Sequence, residues 1–235
     1  MTLLTFFGCG LTAYGPALSI FFLHVAKDAQ LVLLMVSSAF FWLISILLSS
    51  IIWYIIKPIY PKNELTILYS VILQEIFRWL LFNIMMRAEP GLILVANNPK
   101  SLYNRSSFAF VCGMGFGLMS GVVTYFTLLV NSIGPAVLMC NSCTALTVYI
   151  VGAFTTCIFI FLHIMWMMIS FEGFSKNNKF LISWVILSHF GASYATLLNN
   201  SSIFLGCVYG ILINLLILGI SIGIVIWSLI KIRRE

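Results

Sequence analysis

Charge is what this sequence lacks most. Six acidic residues stand among 235, a single one of them aspartate, and charged residues make up 8% of the chain. That aspartate, Asp28, falls between two apolar runs, so no aspartate lies within a membrane-length segment and a protease cutting inside the bilayer with paired aspartates is excluded. With three histidines and six cysteines, neither a second Cys pair nor a nearby His completes a tetrahedral zinc site around Cys140 and Cys143. No serine stands in a nucleophile motif beside a histidine, and the acidic-Arg-aromatic triplet and Asn-Pro-x-x-Tyr element of seven-helix receptors are missing. The basic residues are dispersed through loops without stacking aromatics, which excludes a nucleic-acid surface.

What is present is hydrophobicity. The chain is 62% apolar with a mean hydropathy of +1.11, and runs of about 20 apolar residues, enough to cross the hydrocarbon, recur along its length. They predict an all-α polytopic membrane protein with spans at roughly Leu3–Val25, Leu31–Ile56, Glu64–Met86, Ser107–Val130, Thr144–Ser170, Phe180–Leu198 and Gly206–Ile230. Residues 1–235 thus form one seven-helix transmembrane domain, with no room for a soluble one. Met1-Thr2-Leu3-Leu4 carries no basic n-region and the apolar run behind it is long, so the first span is expected to stay as a helix.

The loops orient the bundle. Lys27, Arg87, Lys100, Arg105, Lys176, Lys179, Lys231, Arg233 and Arg234 fall in the odd loops and tail, against Lys57 and Lys62 in the even loops. Positive-inside bias therefore predicts a luminal or extracellular amino terminus and a cytosolic tail, and the net charge of +6 is a topology signal. Sequons at Asn199 and Asn200 lie in a luminal loop expected to be too short for glycosylation, and Asn104-Arg105-Ser106 is expected on the cytosolic side. Cys9, Cys112, Cys157 and Cys207 read as small packing residues within spans, whereas Cys140 and Cys143, two residues apart in the fourth loop, are placed for a short-range disulfide.

In the fourth span Gly113, Gly117 and Gly121 recur every four residues, with Gly115 and Ser120 between. Lipid gives helices little hydrophobic reason to associate, so a flat glycine face predicts close backbone approach to a neighbour, in this chain or in a partner. Gly206 with Gly210 and Gly219 with Gly223 offer weaker pairs in the seventh span.

Against this background the third span contains Gln74-Glu75-Ile76-Phe77-Arg78. An ionisable group at membrane depth costs roughly 2.5 kcal/mol or more on insertion scales, so such a group needs a partner or a task. At three-residue spacing Glu75 and Arg78 can neutralise one another. His163 and His189 fall at comparable depth. Each either satisfies a carbonyl or hydroxyl between helices, or both join Gln74, Glu75 and Arg78 in one buried polar cavity that holds the third, fifth and sixth spans in register. No catalytic set and no cofactor site is complete. The enzyme alternative is a metal-dependent intramembrane hydrolase using Glu75, His163 and His189, with Arg78 competing for the carboxylate. A channel would want a continuous polar path, which a few polar residues at one depth do not supply.

These residues carry a resemblance. Phe6-Phe7-Gly8-Cys9, Tyr14-Gly15-Pro16-Ala17, Ala39-Phe40-Phe41-Trp42-Leu43, Leu73-Gln74-Glu75-Ile76-Phe77-Arg78, the glycine stretch, Gly134-Pro135 and the two histidines, in that order, resemble the anterior pharynx-defective (Aph) subunit of the γ-secretase complex. The resemblance implies a non-catalytic seven-helix scaffold with a luminal amino terminus, Gly113, Gly117 and Gly121 serving assembly, and His163 and His189 supporting assembly and activity. Its implied partners are presenilin, which brings the catalytic aspartates, nicastrin, which joins first, and the presenilin enhancer subunit. The implied location is the endoplasmic reticulum, Golgi and plasma membrane, and the implied activity of the complex is proteolysis of type I membrane proteins such as Notch and the amyloid precursor. Two loops depart from the family pattern: Met139-Cys140-Asn141-Ser142-Cys143-Thr144 replaces an Ile-His-Gly-Asp-Ser-Pro-like stretch, and Asn199-Asn200-Ser201-Ser202 lacks the Pro-aromatic-Tyr-Glu element.

Overall fold

The structure is a computed structural model that describes residues 3–60, 63–96, 98–134 and 137–234. Lys62 of the loop-charge argument, Pro135 of the resemblance, and the chain ends at Met1-Thr2 and Glu235 lie outside the described residues. Among the described residues, seven helices long and apolar enough to cross a membrane follow one another. α1 (Leu3–Ile20) continues into a π turn at Phe21–Val25; then come α2 (Ala29–Ile56), α3 (Asn63–Leu94), α4 (Asn104–Asn131), α5 (Val148–Ser175), α6 (Lys179–Ala195), prolonged by a 3-10 turn to Asn200, and α7 (Gly206–Arg234). The segments joining α4 to α5 and α6 to α7 meet, with the start of α3, on one face of the bundle, the face where α1 begins; the start of α2, the end of α3, the start of α4 and the end of α5 meet on the other, where α7 ends.

Local chemistry sets the helix ends. Asp28, Thr147 and Asn178 cap α2, α5 and α6 by accepting from Gln30, Ile150 and Phe180 backbone N–H groups. Asn177 takes the left-handed conformation (φ 49°) that turns the chain between α5 and α6. The third span runs past the expected Met86 to Leu94, through Pro90. Two contacts hold the added turns: Arg105 of α4 donates to both Glu89 oxygens at 2.8 and 2.7 Å, and Gln30 of α2 donates to the Leu92 carbonyl at 2.7 Å. The fifth span starts four residues later than expected, because Met139 and Thr147 form an antiparallel bridge that closes a turn over residues 140–146 and keeps it out of the helix.

A 28-residue helix is about 42 Å long, more than the roughly 30 Å of hydrocarbon. On lipid-facing surfaces the hydroxyls are satisfied within their own helix: Thr12 bonds the Gly8 carbonyl, Ser19 the Gly15 carbonyl and Ser37 the Leu33 carbonyl, each at 2.8 Å. α4 is the most enclosed helix, between α2 and α5, and the core gathers around it: Trp42, Val111, Met114, Phe116, Ile160, Ile164 and Met167 are all buried.

The cysteines correct the sequence reading. Cys143 pairs with Cys207, 64 residues away, and not with Cys140. Cys140 is a free, buried thiol bonded to the Asn199 carbonyl. The reason lies in the loop: the Cys143 N–H bonds the Cys140 carbonyl in a turn, while Ser142 accepts from the Cys207 N–H at 3.0 Å and its carbonyl accepts from Leu205. The turn thereby brings Cys143 to the start of α7, with Cα atoms 6.1 Å apart. Peptide mapping without reduction should recover the Cys143–Cys207 cross-link and leave Cys140 unlinked. Cys207→Ser should lower the thermal stability of the detergent-solubilised protein by about 2–4 kcal/mol, and Cys140→Ser should not; a Cys140–Cys143 peptide would overturn the assignment.

Candidate functional site

The glycine stripe of α4 faces α5 of the same chain. A methyl group at Gly113 would lie 2.7 Å from the Ile164 Cα, one at Gly117 2.6 Å from the Ile160 carbonyl oxygen, and one at Gly121 3.0 Å from a Thr156 methyl. At Gly113 and Gly117 those distances leave no space for a side chain, so the two backbones touch, while Gly121 packs against side chains of α5. On the opposite side of α4, Gly115 abuts the Met35 backbone of α2, where Ser38 also donates to the Cys112 carbonyl. Gly206 and Gly210 seat the start of α7 against the Leu198 and Ala195 carbonyls. Gly219 and Gly223 meet nothing within 4 Å.

Next to this contact the charged pair is enclosed. Arg78 is fully buried and the Glu75 side chain is 12% exposed. Arg78 Nη1 donates to Glu75 Oε1 at 2.5 Å, and Nη2 lies 3.2 Å from His163 Nδ1. A guanidinium only donates, so His163 accepts at Nδ1 and holds its own proton at Nε2. His189 Nδ1 donates to the same Glu75 Oε1 at 2.6 Å. α3, α5 and α6 are thus joined by one chain of bonds, His189 to Glu75 to Arg78 to His163. The guanidinium carbon lies 5.3 Å from the Phe116 ring of α4 and 5.8 Å from Trp166 of α5, so aromatic faces replace water around the cation.

Gln74 is outside that chain. Its Oε1 accepts from Trp42 Nε1 of α2 at 3.0 Å, so it ties α3 to α2. Two further indole groups repeat this pattern, since Trp166 donates to Ser188 at 2.9 Å and Trp184 to Ser221 at 3.2 Å. Trp42, Trp166, Trp184, Ser188 and Ser221 are the residues that sequence reasoning missed. Trp166 carried a signal, being three positions after His163 and hence on the same helical face; for the others, nothing local announces the partner. At the face bearing the tail, the ends of α3 to α7 ring a second cavity of about 340 Å³ containing Glu89, Arg105, Glu172, Lys176 and Lys231.

As a chemical device this centre pairs its charges within the fold. One anion, one cation and two imidazoles bond one another across three helices, with Arg78 Nε left buried and unpartnered, and among the described residues no group of three His, Cys, Asp or Glu side chains is placed to hold a metal ion.

A family model described as Aph-1 protein matches residues 4–229. The chain is 34% identical over 204 residues to a Drosophila melanogaster protein named gamma-secretase subunit Aph-1, covering 87% of this chain and 85% of the relative. It is 33% identical to the Danio rerio gamma-secretase subunit Aph-1b over 85% of this chain and 80% of that one. An Arabidopsis thaliana protein named gamma-secretase subunit APH1-like is 29% identical over all of this chain and 98% of its own.

Two outcomes are expected from this geometry. Arg78→Met leaves Glu75 without its cation and should destabilise the solubilised protein by about 3–5 kcal/mol, whereas Glu75→Gln with Arg78→Met should recover much of the loss; equal melting of single and double variants would rule out the pairing. Gly117→Ala should cost about 1–3 kcal/mol by forcing α4 from α5, while Gly219→Ala, with open space around it, should melt like the parent.

Proposed function

The chain belongs to the Aph-1 family, and from that membership we propose that it serves as a non-catalytic scaffold subunit of the γ-secretase complex. In this reading it holds presenilin, nicastrin and the presenilin enhancer subunit together for intramembrane proteolysis of type I membrane proteins. The observation that carries the reading is the internally bonded centre: Glu75, Arg78, His163 and His189 bond one another across α3, α5 and α6. Such a set holds helices in register and leaves chemistry to another subunit. The lone aspartate, Asp28, caps α2, so the aspartates of the protease would come from presenilin. A metal-dependent hydrolase would need Glu75, His163 and His189 as open ligands, and Glu75 Oε1 and His163 Nδ1 are already taken by Arg78.

Two independent features support a luminal amino terminus. The basic residues concentrate on the face opposite the amino terminus, as positive-inside bias requires of a cytosolic face. The Cys143–Cys207 bridge sits on the amino-terminal face, and disulfides persist in oxidising compartments. The endoplasmic reticulum, Golgi and plasma membrane are the membranes that suit such a chain.

Co-purification tests the reading. The tagged chain, expressed in cells lacking their own Aph subunits and extracted in mild detergent, should bring down presenilin, nicastrin and the enhancer and restore substrate cleavage. Recovery of none of them, where an ordinary Aph subunit recovers all three, would overturn it.

A further inference from the structure

The balance of the charged centre is incomplete on one side. Both Arg78 and His189 bond Glu75 through Oε1, and Oε2 has no protein partner among the described residues. The Glu75 side chain stands in the wall of an open cleft of about 300 Å³ between α3, α5 and α6, whose other walls include Ile72, Ile76, Trp79, Phe174 and Ile186. Trp79, Ile72, Ile76 and Ile186 are between 36% and 51% exposed, so the cleft opens sideways, toward the bilayer. Exposed aliphatic side chains are ordinary on a lipid-facing surface; a carboxylate among them is not.

Three occupants can be weighed by what they offer this oxygen. Acyl chains have no donor. Lipid headgroups have donors, but Glu75 lies about three turns, some 16 Å, inside the span that begins at Glu64. A water bridging Glu75 to Ser170, which also lines the cleft, would leave the rest of its apolar volume unfilled. A transmembrane helix meets both requirements, filling an apolar groove along α3 and α6 while presenting one donor side chain at mid-depth.

We propose that this cleft docks a transmembrane helix of a partner subunit, and that a hydrogen-bond donor on that helix, a Ser, Thr, Tyr, Trp, Asn or Gln, bonds the free oxygen of Glu75. The proposal rests on the subunit reading above and adds to it the surface and the chemistry of contact. Glu75 then has two tasks: Oε1 closes the fold and Oε2 faces the partner.

A photo-crosslinking amino acid placed at Ile76 or Ile186 of the full chain, in cells lacking their own Aph subunits, tests it. Illumination should give an adduct between both positions and one membrane segment of a co-purified subunit, with a donor residue within a helical turn of the cross-link. Ile186→Trp, which fills the cleft without touching the ion pair, should abolish the adduct from Ile76. An intact co-purified complex with adducts to lipid alone, or to a segment without a donor, overturns the dock and spares the subunit reading. Absence of every other subunit from the purified material overturns both.

Discussion

A single carboxylate oxygen, Glu75 Oε1, receives bonds from both Arg78 and His189, and the packing of α3, α5 and α6 depends on that sharing. In water such a group would be one of many exchangeable contacts. Within the bilayer no solvent is present to replace a lost partner, so each polar atom in the centre fixes the position of the next helix. His189 brings α6 to Glu75, and Arg78 brings α3 to His163 on α5. Phe116 and Trp166 then supply the faces against which the cation rests, and through Phe116 the fourth helix joins the same constraint.

The glycine stripe and the charged centre are parts of one mechanical unit. Gly117 touches the Ile160 backbone, and a methyl added there would also meet the His163 Cβ at 3.2 Å. The absence of a side chain at position 117 is therefore what lets α5 bring His163 within reach of Arg78. A larger residue would push apart two backbones and, with them, the bond between Arg78 and His163. Small residues in lipid allow close approach, and polar residues use the approach to specify a register. Neither suffices alone: apolar helices that slide past one another lose little, whereas a misplaced Arg78 has no second partner.

How much of this was legible in the sequence follows from the range of each signal. Spans were legible because hydropathy over about 20 residues is a local property, and Glu75, Arg78, His163 and His189 stood out because charge is scarce around them. Gln74 stood out for the same reason, yet its partner is Trp42 and not the cavity, since adjacent helical positions point about 100° apart. The Cys143–Cys207 bridge was missed because proximity along the chain favoured Cys140, while a fold that seats α7 beside loop 4 favours a cysteine 64 residues away. The sequence predicts a third span that ends at Met86 with Arg87 in the loop; what holds the added turns is Arg105 on the next helix and Gln30 on α2, which no local rule detects.

The use of polar groups in this bundle fits a chain that leaves chemistry to other subunits, as proposed. A catalytic centre needs groups that are underused in the resting fold, such as an open ligand position or a nucleophile beside a base. Here nearly every strong donor and acceptor at depth is consumed in holding helices: Trp42 by Gln74, Trp166 by Ser188, Trp184 by Ser221, Arg78 by Glu75 and His163. A centre built that way confers rigidity, the property that the proposed scaffold role would draw on. The oxygen left over, Glu75 Oε2, sits at the edge of the same centre, so a partner that bonded it would couple its own seating directly to the register of α3, α5 and α6. Assembly and internal packing would then share one residue, and losing that residue would harm both together.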